Sequence, residues 1–231
     1  MAFGRRKKNA ERRPDEAAAV PSDSETEEHD DDAVGPWDEA DRPGEEGYID
    51  LGALRIAATQ GLQLRLEVEE RSQRVVAVTL DFEGSSLQLQ AFAAPRSEQL
   101  WDEIRGQISA SVASQGGTVD ELEGPFGTQL LAKVPAQAQD GSRGFRVARF
   151  VGVDGPRWFL RGVFGGPAAV DPKAAAALED VFRNVVVVRG EQPLPPRDLL
   201  QLRLPRDASP LPRRKEPPVP PQRGPEITTI G

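Results

Sequence analysis

Arg146, Phe150, Arg157, Phe159 and Arg161 are the residues whose types and spacing suggest binding chemistry. Side chains of an extended segment alternate between two faces. The dipeptide Asp154-Gly155 favours a tight hairpin turn, which would set Val153 opposite Pro156. The five residues then share one face. Guanidinium groups suit phosphate or carboxylate, and phenyl rings between them suit stacking. The same mixture suits a protein interface, where arginine and aromatic residues are enriched. A structural alternative places the phenylalanines beneath a helix, with the arginine stems lying along them. The opposite face would hold Phe145, Val147, Val151, Trp158, Leu160 and Phe164 as core, with Arg149 fitting poorly. A register error of one residue would exchange the faces.

Acid–base chemistry has fewer carriers. Asp120, Glu121 and Glu123 are close in sequence, as are Asp102 and Glu103. Paired carboxylates can move protons or hold a divalent cation. Neighbours on a strand point opposite ways, however, and Asp102 and Glu103 fall on the polar side of a helix, so solvated surface is the better reading. Between residues 48 and 204 there is no histidine and no cysteine, and the only lysines are Lys133 and Lys173. That removes Ser–His–Asp and Cys–His catalysis and histidine- or thiolate-based metal sites. No phosphate-cradling glycine loop followed by Lys and Ser/Thr occurs, and no G-x-S-x-G elbow. The single histidine, His29, stands in an acidic run and reads as solvated. No catalytic residue, metal or cofactor is expected.

The chain that must position these residues has 231 amino acids and a formal charge of -8. Residues 1–47 hold 7 Lys/Arg against 15 Asp/Glu, which leaves 22 of each sign in the remainder. The acidity therefore belongs to the N-terminal arm. This arm is basic at first, then acidic, and too polar to offset the entropy of ordering, so disorder is expected over 1–47. Its exception is Gly35-Pro36-Trp37-Asp38, where Trp37 is a candidate docking residue. Residues 205–231 are rich in proline and arginine and read as a second disordered arm. Pro217, Pro218, Pro220 and Pro221 favour polyproline II there. No apolar run approaches the ~18 residues of a membrane span, no signal peptide is evident, and the expected location is the cytosol.

The spacing predicts one α+β domain over 48–204, with a mainly antiparallel sheet of about seven to eight strands and two helices. Leu62, Leu64, Leu66 and Val68 alternate with polar residues as in a half-buried strand. A strand over 48–56 precedes it, and strands over 74–82 and 86–93 follow as a meander. A helix is predicted over 97–115, capped by Ser97, with Leu100, Trp101, Ile104, Ile108 and Val112 on one face. Strands are expected over 118–122, 128–134, 144–151 and 157–164. Asp171-Pro172 opens a second helix. A short strand over 185–188 and an extended segment over 193–204 complete the domain.

Several segments together resemble a family of actinobacterial proteins named domain of unknown function 3710. They are Ile49-Asp50-Leu51-Gly52, Phe92-Ala93-Ala94-Pro95-Arg96 with Trp101, Gly124-Pro125-Phe126-Gly127, residues 149–161, and Val185 to Gly190 with Pro195-Pro196-Arg197-Asp198. The resemblance implies no activity and no catalytic residues. The residues themselves favour a non-catalytic binding or adaptor protein whose partner is another protein. Nucleic-acid binding through the Arg/Phe face is the alternative, and a carboxylate-dependent, metal-assisted enzyme is a distant third.

Overall fold

In a computed structural model of the chain, the described residues are 35–44, 46–137 and 141–205. The acidic run around His29 and the proline-rich residues 217–221 lie outside them. The described residues form an α+β fold of two helices and eleven strands, most of them antiparallel.

The main sheet has seven strands. They are β4 (Gln63–Glu69), β5 (Arg74–Phe82), β6 (Ser85–Ala93), β7 (Thr118–Gly124), β8 (Gly127–Gln137), β9 (Arg143–Asp154) and β10 (Trp158–Gly165), in the order β4-β5-β6-β10-β9-β8-β7. Every neighbouring pair is antiparallel. Period-two patterning is clearest in β6, where Ser85, Leu87, Leu89, Ala91 and Ala93 are buried and the residues between them are half-buried.

A second sheet was not anticipated. β1 (Trp37–Asp38), β2 (Tyr48–Asp50), β3 (Leu54–Ala57) and β11 (Val186–Val187) pair in the order β1-β11-β3-β2. The expected single strand over 48–56 is instead the hairpin β2–β3, folded at Gly52 with φ +84°. Trp37 and Asp38, placed by composition in the N-terminal arm, run parallel to β11 with Trp37 opposite Val186.

The helices lie on opposite faces of the main sheet. α2 (Pro172–Arg183) follows a 3-10 turn (Gly166–Ala169), and its first turn is capped by Asp171, which accepts from the Lys173 backbone N–H at 2.9 Å. Its buried Ala175, Leu178, Val181 and Phe182 join the second sheet in covering Val78, Leu80, Leu87, Leu89, Val151, Leu160 and Phe164. This is the principal core, and each such large side chain contributes about 1.5–3 kcal/mol. α1 (Trp101–Ser114) covers the other face, where Leu100, Trp101 and Phe159 form a smaller cluster.

Two expectations about the chain near α1 are corrected. Ser97 does not cap the helix. Its cap is Asp154, at the end of β9, whose carboxylate accepts from the backbone N–H of Leu100 at 2.8 Å and of Trp101 at 3.2 Å. The β9–β10 loop also differs from the expected two residues. Asp154 pairs with Phe159, and Gly155 N–H donates to the Trp158 carbonyl at 2.8 Å. Trp158 is buried beneath Gly155, where a Cβ would come within 2.1 Å of its ring. Val151 therefore stands opposite Gly162 instead of Trp158. The shift is an even number of residues, so each side chain keeps its face.

Candidate functional site

The alternation of β10 and β9 puts Phe159, Arg161 and Phe150 on the face beneath α1, with Phe92 of β6 opposite Phe159. The rings of Phe92 and Phe159 lie 6.0 Å apart, and Trp101 stacks on Phe159 at 6.0 Å. Gly152 makes that stacking possible, since a Cβ there would sit 2.3 Å from the Trp101 ring. Trp101 is fixed at its far edge by donating from Nε1 to the Thr128 carbonyl at 2.7 Å.

Below this anchor the helix and the sheet separate. Leu100, Ile104, Ile108 and Val112 of α1 face Phe92, Phe159, Phe150 and Val134 across a cleft of about 490 Å³. Gln107, Ser111 and Gln115 line its helix edge. Ile104 and Ile108 are only half-buried as a result, although they lie on the helix's apolar face. Clefts of this size and apolar lining, with a few placed polar groups, are the usual form of a small-ligand site.

Two arginines reach the cleft. Arg161 is half-buried. Its Nη2 donates to the Gln90 side-chain oxygen, and its guanidinium lies 5.6 Å from the Phe92 ring. Its Nε is buried with no acceptor, and no carboxylate of the described residues pairs with it. Burial pushes its pKa down from the ordinary arginine value, though arginine stays protonated at any working pH. Arg197 approaches from the segment after α2. Its backbone is left-handed, with φ 70°, and its N–H donates to the Ala93 carbonyl at 2.7 Å. Its guanidinium is paired with Glu103 of α1. A non-glycine residue in this conformation is strained, and such positions concentrate at functional sites.

The five residues of the Arg/Phe face thus separate. Phe150, Phe159 and Arg161 meet inside the cleft. Arg146 is exposed, opposite Val134 at the outer end of β9. Arg157 lies in the β9–β10 loop, 3.4 Å from the Gly190 carbonyl. Phe159 is fully buried and cannot stack on a base. Trp37 packs on the folded chain itself, with Arg42 over its ring at 4.2 Å and the neighbouring Asp38 accepting from Trp158 Nε1 at 2.7 Å. The cleft residues Arg197, Gln107, Ser111 and Gln115 were not singled out by sequence.

Arg149, the misfit of the core face, has an internal partner set. It donates to Glu179 at 2.7 Å, Gln129 at 2.9 Å and the Ala168 carbonyl at 3.1 Å, and lies over the Phe164 ring at 4.3 Å. It ties α2 and the 3-10 turn to the sheet. The carboxylates considered for catalysis are dispersed: Asp102 and Glu121 pair with Arg105, Asp120 with Lys133, Glu103 with Arg197, and Glu123 accepts from Thr128. Among the described residues no group of three or more His, Cys, Asp or Glu could hold a metal ion, and no helix is long and apolar enough to cross a membrane.

No curated protein matches the chain. A family model described as a protein of unknown function (DUF3710) matches residues 35–210, a span that holds both sheets, both helices and every residue of the cleft. The chain belongs to the DUF3710 family.

Proposed function

We propose that this protein is a non-catalytic binding or adaptor protein and that the cleft beneath α1 is where it binds. The observation that carries this reading is Arg161, a half-buried cation without a carboxylate partner in a mainly apolar cleft. A charge withdrawn from water without a counter-ion destabilises the empty fold, and a ligand that supplies the counter-charge recovers that free energy. The lining supports the non-catalytic reading. Its polar side chains are two arginines, two glutamines and one serine. None is a general base near neutral pH, and the serine has no base beside it on the lining.

The test compares the full chain with Ile108→Trp, which narrows the cleft from the helix side. Both serve as baits for a lysate of the native host, and bound small molecules are extracted and identified by mass spectrometry. A partner or compound retained by the wild type and lost by a folded Ile108→Trp variant supports the reading. Equal retention by both chains refutes the cleft as the site. Chemical conversion of the retained compound refutes the non-catalytic assignment.

A further inference from the structure

The cleft has one cationic end and a mainly apolar stretch beneath α1. Arg161 lies on β10 between Gln90 of β6 and Gly152 of β9. On the side of β6 the same sheet face continues into polar side chains: Thr79 and Gln88 both donate to Glu67, and Arg65 pairs with Asp81. On the other side the cleft runs under α1 between Ile108, Val112, Phe150 and Val134. A ligand that enters there must present an anion at Arg161 and an apolar body to the helix.

We infer that the cleft takes a single-chain amphiphile with one anionic head, of the free fatty acid type, its carboxylate on Arg161 and its hydrocarbon chain beneath α1. This rests on reading the cleft as the binding site and names the ligand class for it. The guanidinium of Arg161 has a donor to spare, since Nη2 has the Gln90 side-chain oxygen as acceptor, Nε is buried, and Nη1 has no protein acceptor. A carboxylate accepts a strong, charge-assisted hydrogen bond from such a donor. A second arginine, Arg197, stands at the same cleft but is already paired with Glu103, so the net uncompensated charge there is a single positive one. One unpaired cation favours a monoanion over a head of higher charge. The lowered pKa of Arg161 agrees with a site whose occupied form replaces lost solvation. The wall built from isoleucine, valine and phenylalanine suits a hydrocarbon chain, and the side chains of Gln107, Ser111 and Gln115 are confined to the helix edge, too few to satisfy the backbone of an extended peptide.

Dodecanoate below its micelle concentration is the first probe, with dodecanol as the neutral control, dodecyl phosphate as the alternative head, and a short peptide ending in leucine with a free C-terminus as the competing class. Binding to the full chain is measured by calorimetry and located by backbone amide shifts. Expected are dodecanoate binding with shifts at Phe92, Ile108 and Phe150, and dodecanol weaker by about tenfold or more, since a hydrogen bond to a charged group is worth about 1.5–3 kcal/mol. Arg161→Met is expected to bind both probes alike, and Arg161→Lys to keep part of the preference. Equal affinity of the wild type for dodecanoate and dodecanol, or a preference that survives Arg161→Met at an unchanged fold, overturns the inference. So does tighter binding of dodecyl phosphate or of the peptide. If either of these binds more tightly than dodecanoate and Ile108→Trp abolishes that binding, the ligand class fails while the cleft stands as the site. If neither these probes nor any lysate component is lost on Ile108→Trp, both readings fail together.

Discussion

Replacing Asp154 by alanine removes the cap of a helix more than fifty residues earlier in the chain. α1 begins with Leu100 in the N-cap position and has no side-chain cap of its own. The Asp154 carboxylate fills that role through bonds of 2.8 and 3.2 Å to the amides of Leu100 and Trp101. Loss of an N-cap costs about 1 kcal/mol. Loss of a negative charge at the positive end of the helix dipole adds about 0.3–1 kcal/mol. The expected destabilisation is therefore about 1.5–2 kcal/mol, which for a domain of this size lowers Tm by about 3–8 °C. Scanning calorimetry measures the shift. Hydrogen exchange at the amides of the first turn of α1 should quicken more than exchange in β6 or β10, because the first turn loses its only side-chain acceptors. Asp154→Asn keeps an acceptor without the charge and should fall between alanine and wild type. Ser97→Ala is the control and should stay within about 0.5 kcal/mol of wild type. The reasoning fails if Asp154→Ala leaves Tm unchanged, or if Ser97→Ala costs as much.

Arg149→Met should destabilise the domain by about 3 kcal/mol in urea denaturation, because it leaves Glu179 and Gln129 without their shared donor. Adding Glu179→Gln to that variant should restore part of the loss, whereas a loss that simply doubles would refute the pairing. Gly152→Ala should displace Trp101, whose ring is 2.3 Å from the added methyl position, at a cost of about 1–3 kcal/mol and with an altered near-ultraviolet circular dichroism spectrum. Asp38→Ala leaves the buried Trp158 Nε1 donor unpaired, and a loss of about 1–3 kcal/mol in Tm-derived stability checks that Asp38 and Trp158 are joined.

Much of the fold was legible because it rests on local repetition. Period-two alternation over residues 62–68, β-branched runs and turn dipeptides located the strands of the main sheet, and the stripe Leu100–Trp101–Ile104–Ile108–Val112 located α1. Asp171-Pro172 marked the start of α2 because an aspartate cap and a first-turn proline act within a few residues of each other. Val151, Trp158, Leu160 and Phe164 came out on the core face although the register did not, because a shift of an even number of residues preserves alternation. Phe145, expected in the core, lies instead at the outer end of β9 and is 70 % exposed. Three of the five residues read as a binding face, Phe150, Phe159 and Arg161, line the cleft.

The sequence alone determined which residues alternate, which stripe a helix buries, and that residues 48–204 contain no histidine or cysteine, because these depend on residue type and short spacing. Only the tertiary structure decided that α1 lies over Phe150, Phe159 and Arg161, that Asp154 and not Ser97 caps the helix, that Arg149 meets Glu179, and that Trp37 and Asp38 join a second sheet. Each of these unites residues from different elements, and which partner a buried charge or an open backbone group finds is settled by packing across the whole chain. The unpaired Arg161 in its cleft is such a result: its residue type was visible in the sequence, and its lack of a counter-ion became visible only in three dimensions.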